Sequence, residues 1–190
     1  QRARIIREDI LQVGGFVLFY SGRISKEKMV ETLMLGFNKV CEEYPNTKLL
    51  LIGAAKDSET MNRLVKSYGL NEKFIGNIIP TGWIKDIKEY AAYYLAGDIL
   101  VQPGRTPNLY SIAAIEAMAA GKPVLAYGHG GVTETVIQGV TGEFFNEPTV
   151  NSMEQGLARL LRNEKTYHPY GIRARAEKFD EEIFREKMQK

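Results

Sequence analysis

Three features of the chain could do chemistry on an anionic ligand. The first is a lone carboxylate: between Arg105 and Lys122 the only charged residue is Glu116, set among Ala, Ile and Met. Burying an unpaired carboxylate costs roughly several kcal/mol, so Glu116 needs hydroxyl donors, amide donors or open water. The second is a pair of cations in Ser21-Gly22-Arg23-Ile24-Ser25-Lys26-Glu27-Lys28, with Arg23 expected in a loop and Lys28 in the first turn of a helix. Cations at a helix N-terminus oppose the macrodipole unless an anion sits between them and the amides, and a diphosphate would satisfy both. A solvated basic first turn softened by Glu27 is the other reading of the same residues. The third is a helix N-terminus that Asn108 or Ser111 can cap, whose free N–H groups point outward at the carboxyl end of the preceding strand, where an anion would sit.

Other chemistries lack their patterns. There is no G-x-x-x-x-G-K-[ST] and no G-x-G-x-x-G after the first strand, which argues against a P-loop NTPase or a simple dinucleotide dehydrogenase. His129 and His168 lie far apart with no Cys or carboxylate cluster around them, so metal-ligand spacing is missing and no metal is expected. No G-x-S-x-G run offers a nucleophile elbow.

The elements that must position these residues alternate strand and helix nearly to the end. Apolar runs at Phe16 to Gly22, Lys48 to Gly53, Asp98 to Pro103, Pro123 to Tyr127 and the short GEFF read as strands, with a further short strand and loop in KFIGNIIPTGW. Helical spacing links Met29, Val30, Leu33, Met34, Phe37, Val40 and Cys41, and again Met61, Leu64, Val65 and Tyr68 before Gly69. Further helices carry Ile84, Ile87, Tyr90, Ala91 and Tyr94, then Val150, Met153, Leu157, Leu160 and Leu161. A short helix is expected from Gly131. This is the pattern of an α/β fold with one doubly wound parallel sheet. In such a sheet the ligand lies beyond the carboxyl ends of the strands, where Gly22, Gly53, Gly82, Pro103 and Gly128 fall. From His168 to Lys190 the residues Ile172, Ala176, Phe179, Ile183 and Phe184 form an apolar face on a charged helix that packs on something. Residues 1–15 show no comparable pattern and read as a linker. Tyr90, Tyr93 and Tyr94 read as a packing face before a stacking platform.

The 190 residues, 44% apolar and 25% charged, suffice for one globular domain with ample core. A net charge of +2 with mixed signs gives no case for nucleic acid and allows only weak attraction to anionic membranes. Cys41 is the one cysteine, expected as a buried free thiol, and the cytoplasm is the natural compartment. No apolar run approaches the ~18 residues needed to span a bilayer.

Taken in order, GRISKEK, KLLLIG, VQPGRTPNLYSIAAIEAMAAGKPVLA and GGVTETVIQGVTGEFF resemble the C-terminal half of a retaining GT-B glycosyltransferase of the GT4 type, from about Phe16 to Leu161. The resemblance implies a Rossmann-like donor-binding domain over 16–165 and a linker over 1–15 from an absent N-terminal Rossmann domain. It also implies a closing helix over 166–190 that crosses back to that domain. It implies a UDP- or GDP-hexose donor, a hydroxyl acceptor on a sugar, lipid-linked or polysaccharide molecule, and no cofactor. Work at the cytoplasmic face of a membrane fits such acceptors. The family's Arg and Lys fall on Arg23 and Lys28, next to Gly22, and would hold the diphosphate. The second Glu of the family's Glu-x7-Glu signature falls on Glu116, expected to accept from both ribose hydroxyls, for which a carboxylate has two oxygens. Backbone N–H groups of Tyr110, Ser111 and Ile112 would meet the distal phosphate or sugar. Trp83 and Ile84 match the segment that frames the base.

The first Glu of that signature is Asn108 here, and the Gly usual three residues later is Ser111. An amide can still bond the donor sugar's hydroxyls, but it supplies no negative charge near a developing oxocarbenium centre. Asn108 serves equally as a helix N-cap. The alternatives are a degenerate sugar-nucleotide-binding module, or a GT-B epimerase or phosphorylase relative. His129, at the tip of Gly128-His129-Gly130-Gly131, reads as an exposed turn residue or as a contact to donor sugar or phosphate. Glu134 gains from the dipole of its helix without any ligand.

Overall fold

The computed structural model describes residues 1–10, 15–53, 66–68, 70–104 and 111–180, leaving aside the side chain of Lys26. Its sheet contains β1 (Val17–Ser21), β2 (Lys48–Ile52), β3 (Ile78–Gly82), β4 (Ile99–Gln102), β5 (Val124–Tyr127) and β6 (Gly142–Phe145). The order is β3-β2-β1-β4-β5-β6, and every neighbouring pair is parallel. The continuous apolar runs seen in the sequence are strands covered on both faces, and Val17 to Tyr20, Leu49 to Ile52 and Val124 to Ala126 are all buried. Pro80 is accommodated because β3 is an edge strand.

Parallel strands are joined by right-handed crossovers as a rule, so helices fall on opposite faces as the order runs outward from β1 and from β4. The helices are α1 (Arg2–Ile10), α2 (Val30–Glu43), α3 (Ile87–Ala96), α4 (Ile112–Ala119), α5 (Val132–Thr135), α6 (Val150–Arg162) and α7 (Pro169–Ala176). Over one face α2 packs on α6; over the other, α1 packs on α3 and α4 on α7. The approach of α2 to α6 requires Gly36, where a Cβ would lie 1.8 Å from the Met153 methyl carbon. Asp86 and Thr149 cap α3 and α6, accepting from Lys88 N at 2.9 Å and Ser152 N at 3.2 Å.

Four expectations are corrected or refined. Residues 2–10 are a helix, not an unpatterned linker segment: Ile6 and Ile10 enter the core, and Arg2 bonds both Glu89 oxygens, at 2.8 and 2.7 Å. The helix after β1 begins at Val30, because Met29 adopts a left-handed conformation (φ 50°) between it and a 3-10 turn at Lys26–Lys28. Lys28 therefore closes that separate turn and is not in the first turn of α2. Ile84 precedes α3, which starts at Ile87. The described part of the C-terminal segment packs within this domain, with Ile172 and Ala176 buried where α7 meets α4. Met61, Leu64, Val65, Gly69, Ile183 and Phe184 lie outside the described residues. Cys41 is a buried free thiol, pushed up to about 11 by burial.

Candidate functional site

The carboxyl ends of β1 and β4 are adjacent in space, and the chain leaves them in opposite directions, β1 toward β2 and β4 toward β5. That divergence opens a crevice, the usual ligand position in an open parallel sheet. Here it is a cleft of about 270 Å³ lined by Gly22, Lys28, Gln102, Ser111, Ile112 and His129, among others.

Each lining group has a local cause. Gly22 follows β1 at φ 145°, a conformation that disfavours a side chain, and its N–H bonds Ile52 O at 3.2 Å. The loop beyond is pinned by the buried Tyr20, whose hydroxyl donates to Arg23 O at 2.8 Å. Burial pushes that phenol up to about 12, against the pull of the Arg23 cation, so it stays a donor. The loop and the 3-10 turn bring Lys28 into the cleft, while Arg23 is exposed and does not line it. Ser111 caps α4: its Oγ accepts from Ala114 N at 3.2 Å. The first helical N–H groups, of Ile112 and Ala113, have no intrahelical acceptor, and both residues line the cleft. His129 enters from the loop after β5, with its ring 5.8 Å from that of Tyr127. Lysine, helix N-terminus and imidazole thus converge on one space, an arrangement suited to an anion with polar groups attached.

Glu116 faces a different space. It lines a groove of about 400 Å³ between α3 and α4 together with Ile87, Tyr90, Tyr94 and Leu95. The hydroxyls of Tyr90 and Tyr94 both donate to its Oε2 at 2.9 Å, and they lie 2.9 Å from each other. Burial raises both phenols, and the Glu116 charge raises them further, so they remain protonated donors. Ser21 Oγ sits 3.0 Å from the Tyr90 hydroxyl and also lines the first cleft, which ties the two spaces together. The tyrosines do pack, with Tyr94 edge-on to Phe19 at 5.2 Å. Their polar ends are what sequence reading missed: the (i, i+4) spacing of two tyrosines was the available signal, and the partner on α4 was not.

Trp83 and Ile84 follow β3 at the same edge of the sheet without lining the cleft; Trp83 is 80% exposed and Ile84 half-buried. Asn108 and Tyr110 lie outside the described residues. Gln102 was not singled out in the sequence. Among the described residues no cluster of His, Cys, Asp or Glu is placed to hold a metal ion, and no helix is long and apolar enough to cross a membrane.

Residues 1–177 match the family model described as glycosyl transferases group 1. The chain belongs to that family. Among its group 1 relatives is the lipopolysaccharide 1,2-N-acetylglucosaminetransferase of Salmonella typhimurium, 30% identical over 156 residues, 78% of this chain and 41% of that protein. The capsular polysaccharide biosynthesis glycosyltransferase CapM of Staphylococcus aureus is 27% identical over 177 residues, 92% of this chain and 45% of that protein. The chain thus spans less than half the length of these curated relatives. In structure it is similar to HepE of Anabaena in complex with UDP, with a TM-score of 0.74 at 22% identity, over 92% of this chain and 47% of that one. It is also similar to the C-terminal domain of the group 1 protein LpcC of Francisella tularensis, with a TM-score of 0.68 at 25% identity, over 90% of this chain and 88% of that one. The fold is the Rossmann-like, GT-B type of these glycosyltransferases.

Proposed function

We propose that this chain is the donor-binding half of a retaining glycosyltransferase that moves a hexose from a UDP- or GDP-hexose to a hydroxyl acceptor. The carrying observation is the convergence of Lys28, the N-terminus of α4 and His129 on one cleft at the carboxyl ends of β1, β4 and β5. UDP in HepE, whose fold this chain shares, supports a nucleoside diphosphate as the ligand class. In this reading the diphosphate rests on Lys28 and the first N–H groups of α4, with Arg23 closing over it from the loop. Glu116 accepts from the ribose, Trp83 and Ile84 flank the base, and Asn108 and the Tyr110–Ile112 backbone meet the sugar and distal phosphate.

The chemical work is electrostatic. As the bond between the anomeric carbon and the diphosphate oxygen breaks, its electron pair goes to that oxygen, and the fixed positive groups stabilise the growing charge. Acceptor binding belongs to an N-terminal Rossmann domain of the longer protein, so this chain alone binds donor without transferring it. A cytoplasmic reaction, with a membrane at most peripheral, fits this donor and the expected acceptors. A second reading, a binding module without turnover, rests on Asn108 standing where the family has Glu. Asn108→Glu in the longer protein raises transfer if the site is degenerate and lowers it if the amide is the working group.

Calorimetric titration with UDP, GDP, ADP and their common sugar conjugates tests the donor site. Base-selective binding is expected, weakened in Lys28→Ala. Failure of the wild-type chain to bind any of them overturns the reading.

A further inference from the structure

β4 carries one polar side chain. Ile99, Leu100 and Val101 are buried, and Gln102 closes the strand at its carboxyl end, on the floor of the cleft. Its Oε1 is buried and accepts no hydrogen bond, a condition shared among the described residues only by Thr47 Oγ1, before β2. Buried polar atoms in folded proteins nearly always have a partner, and this one would be avoided by any aliphatic residue in continuation of Val101. Because the Gln102 side chain lines the cleft, a small rotation of its amide presents this acceptor to what enters there.

The neighbourhood narrows what that is. A Cβ built on Gly104 would lie 3.6 Å from Gln102 Nε2 and 3.5 Å from Lys28 Cδ, so the two side chains flank one point that Gly104 keeps open. An anion held by Lys28 therefore brings its substituents onto Gln102. Phosphate oxygens accept and do not donate, so they suit Lys28 and the α4 amides and leave Oε1 unserved. A sugar hydroxyl serves it: the O–H donates to Oε1 while the same oxygen accepts from Nε2.

Resting on the donor-site reading above, we infer that Gln102 is a specificity-determining residue that holds a hydroxyl of the transferred hexose. It separates a nucleotide sugar from the free nucleoside diphosphate, and a hexose with that hydroxyl from one lacking it.

The test titrates the 190-residue chain and its Gln102→Leu and Gln102→Glu variants with UDP, GDP, UDP-glucose, UDP-N-acetylglucosamine and GDP-mannose, recording the melting temperature of each protein. Wild type is expected to bind one sugar conjugate more tightly than its diphosphate. Gln102→Leu raises the Kd of that conjugate roughly tenfold, as for one lost hydrogen bond to an unmet partner, and leaves the diphosphate Kd within about twofold. Gln102→Glu, which keeps the acceptor, retains the preference; Gln102→Asn, which withdraws the amide by one methylene, replaces the Leu variant if that melts early. Equal losses for diphosphate and conjugate place the amide on the phosphates and overturn the inference, as does no change in either. A wild type that binds without sugar preference removes Gln102's role alone, whereas one that binds no nucleotide removes the donor site itself.

Discussion

The two ends of one sheet treat their polar groups in opposite ways. At the amino end of β4, the Asp98 carboxylate accepts from Val17 N at 2.8 Å and Arg7 Nη2 at 3.0 Å, while Arg7 Nη1 donates to Ala96 O at 2.8 Å. On β6 the buried Glu143 accepts from the Tyr167 hydroxyl at 2.7 Å and faces Arg159 Nε at 3.4 Å. Those charges close the fold upon themselves. At the carboxyl ends, the side chains of Lys28, Gln102 and His129 make no hydrogen bond or ion pair with a described residue, yet they share a cleft. Thr47 Oγ1, before β2, is also without a partner but lies outside that cleft; what sets the carboxyl ends apart is that three such side chains gather in one cleft, which is why the ligand is proposed there.

Mutations should divide along the same line. The largest effect belongs to Glu143→Ala, which strands the buried Tyr167 phenol and takes the carboxylate from an Arg159 that keeps its bond to Phe144 O: a loss of about 3 kcal/mol in urea unfolding is expected, with little change in nucleotide affinity for the protein that remains folded. Lys28→Ala should do the reverse, leaving the melting temperature nearly unchanged and raising the nucleotide Kd roughly tenfold to a hundredfold. Arg23→Ala should cost less, since Arg23 lies outside the cleft. Equal effects of Lys28→Ala on stability and binding would erase the contrast between the two ends.

Glu116 tests the boundary between the two behaviours, being partnered by tyrosines yet proposed for the ribose. Glu116→Ala should weaken nucleoside diphosphate binding by about 1–3 kcal/mol in calorimetry, and Tyr94→Phe, which removes one of two donors to Oε2, by about 1 kcal/mol or less. Unchanged affinity in Glu116→Ala would remove it from the site and leave it as a packing device.

The smallest expected effect is on the pH dependence of stability. Burial raises Cys41 from 9.0 to about 11 and Tyr20 from 10.0 to about 12. Both groups hold their protons more tightly folded than unfolded, so their contribution is complete below about pH 9 and is lost as pH climbs toward about 12. Urea midpoints measured between those values should fall with rising pH, and a flat profile would mean that neither group is as enclosed as the structure has it.

Strands were legible because two-sided burial writes itself as a short apolar run, and the cleft was legible because Gly22 and the helix start at Ser111 are local signals. What escaped was set by partners distant in sequence. The helix at Arg2–Ile10 looks like a solvated charge run, because the residues that hold it down, Glu89 and Asp98, lie 87 and 91 positions away from Arg2 and Arg7. The left-handed Met29 carries no sequence mark, since nothing about a methionine announces φ 50°. The phenol pair on Glu116 needed the register of α3 against α4. Gln102 was passed over because a lone glutamine at a strand end has no pattern, and it is distinguished only by what fails to touch it.

The join between β1 and β4 also has a kinetic side. The two strands pair through Leu18 with Ile99 and Phe19 with Leu100, and the adjoining Val17 and Asp98 are 81 residues apart. Contacts of that span cost more chain entropy to close than the local crossovers on either side, so they are expected to form after them. Gly22 and Lys28 come from one half of the chain, and Gln102, Ser111 and His129 from the other, so neither half carries the whole of the proposed donor site. In a refolding experiment nucleotide affinity should therefore appear after most of the helical signal, and a nucleotide present in solution would trap only chains whose two halves have already docked.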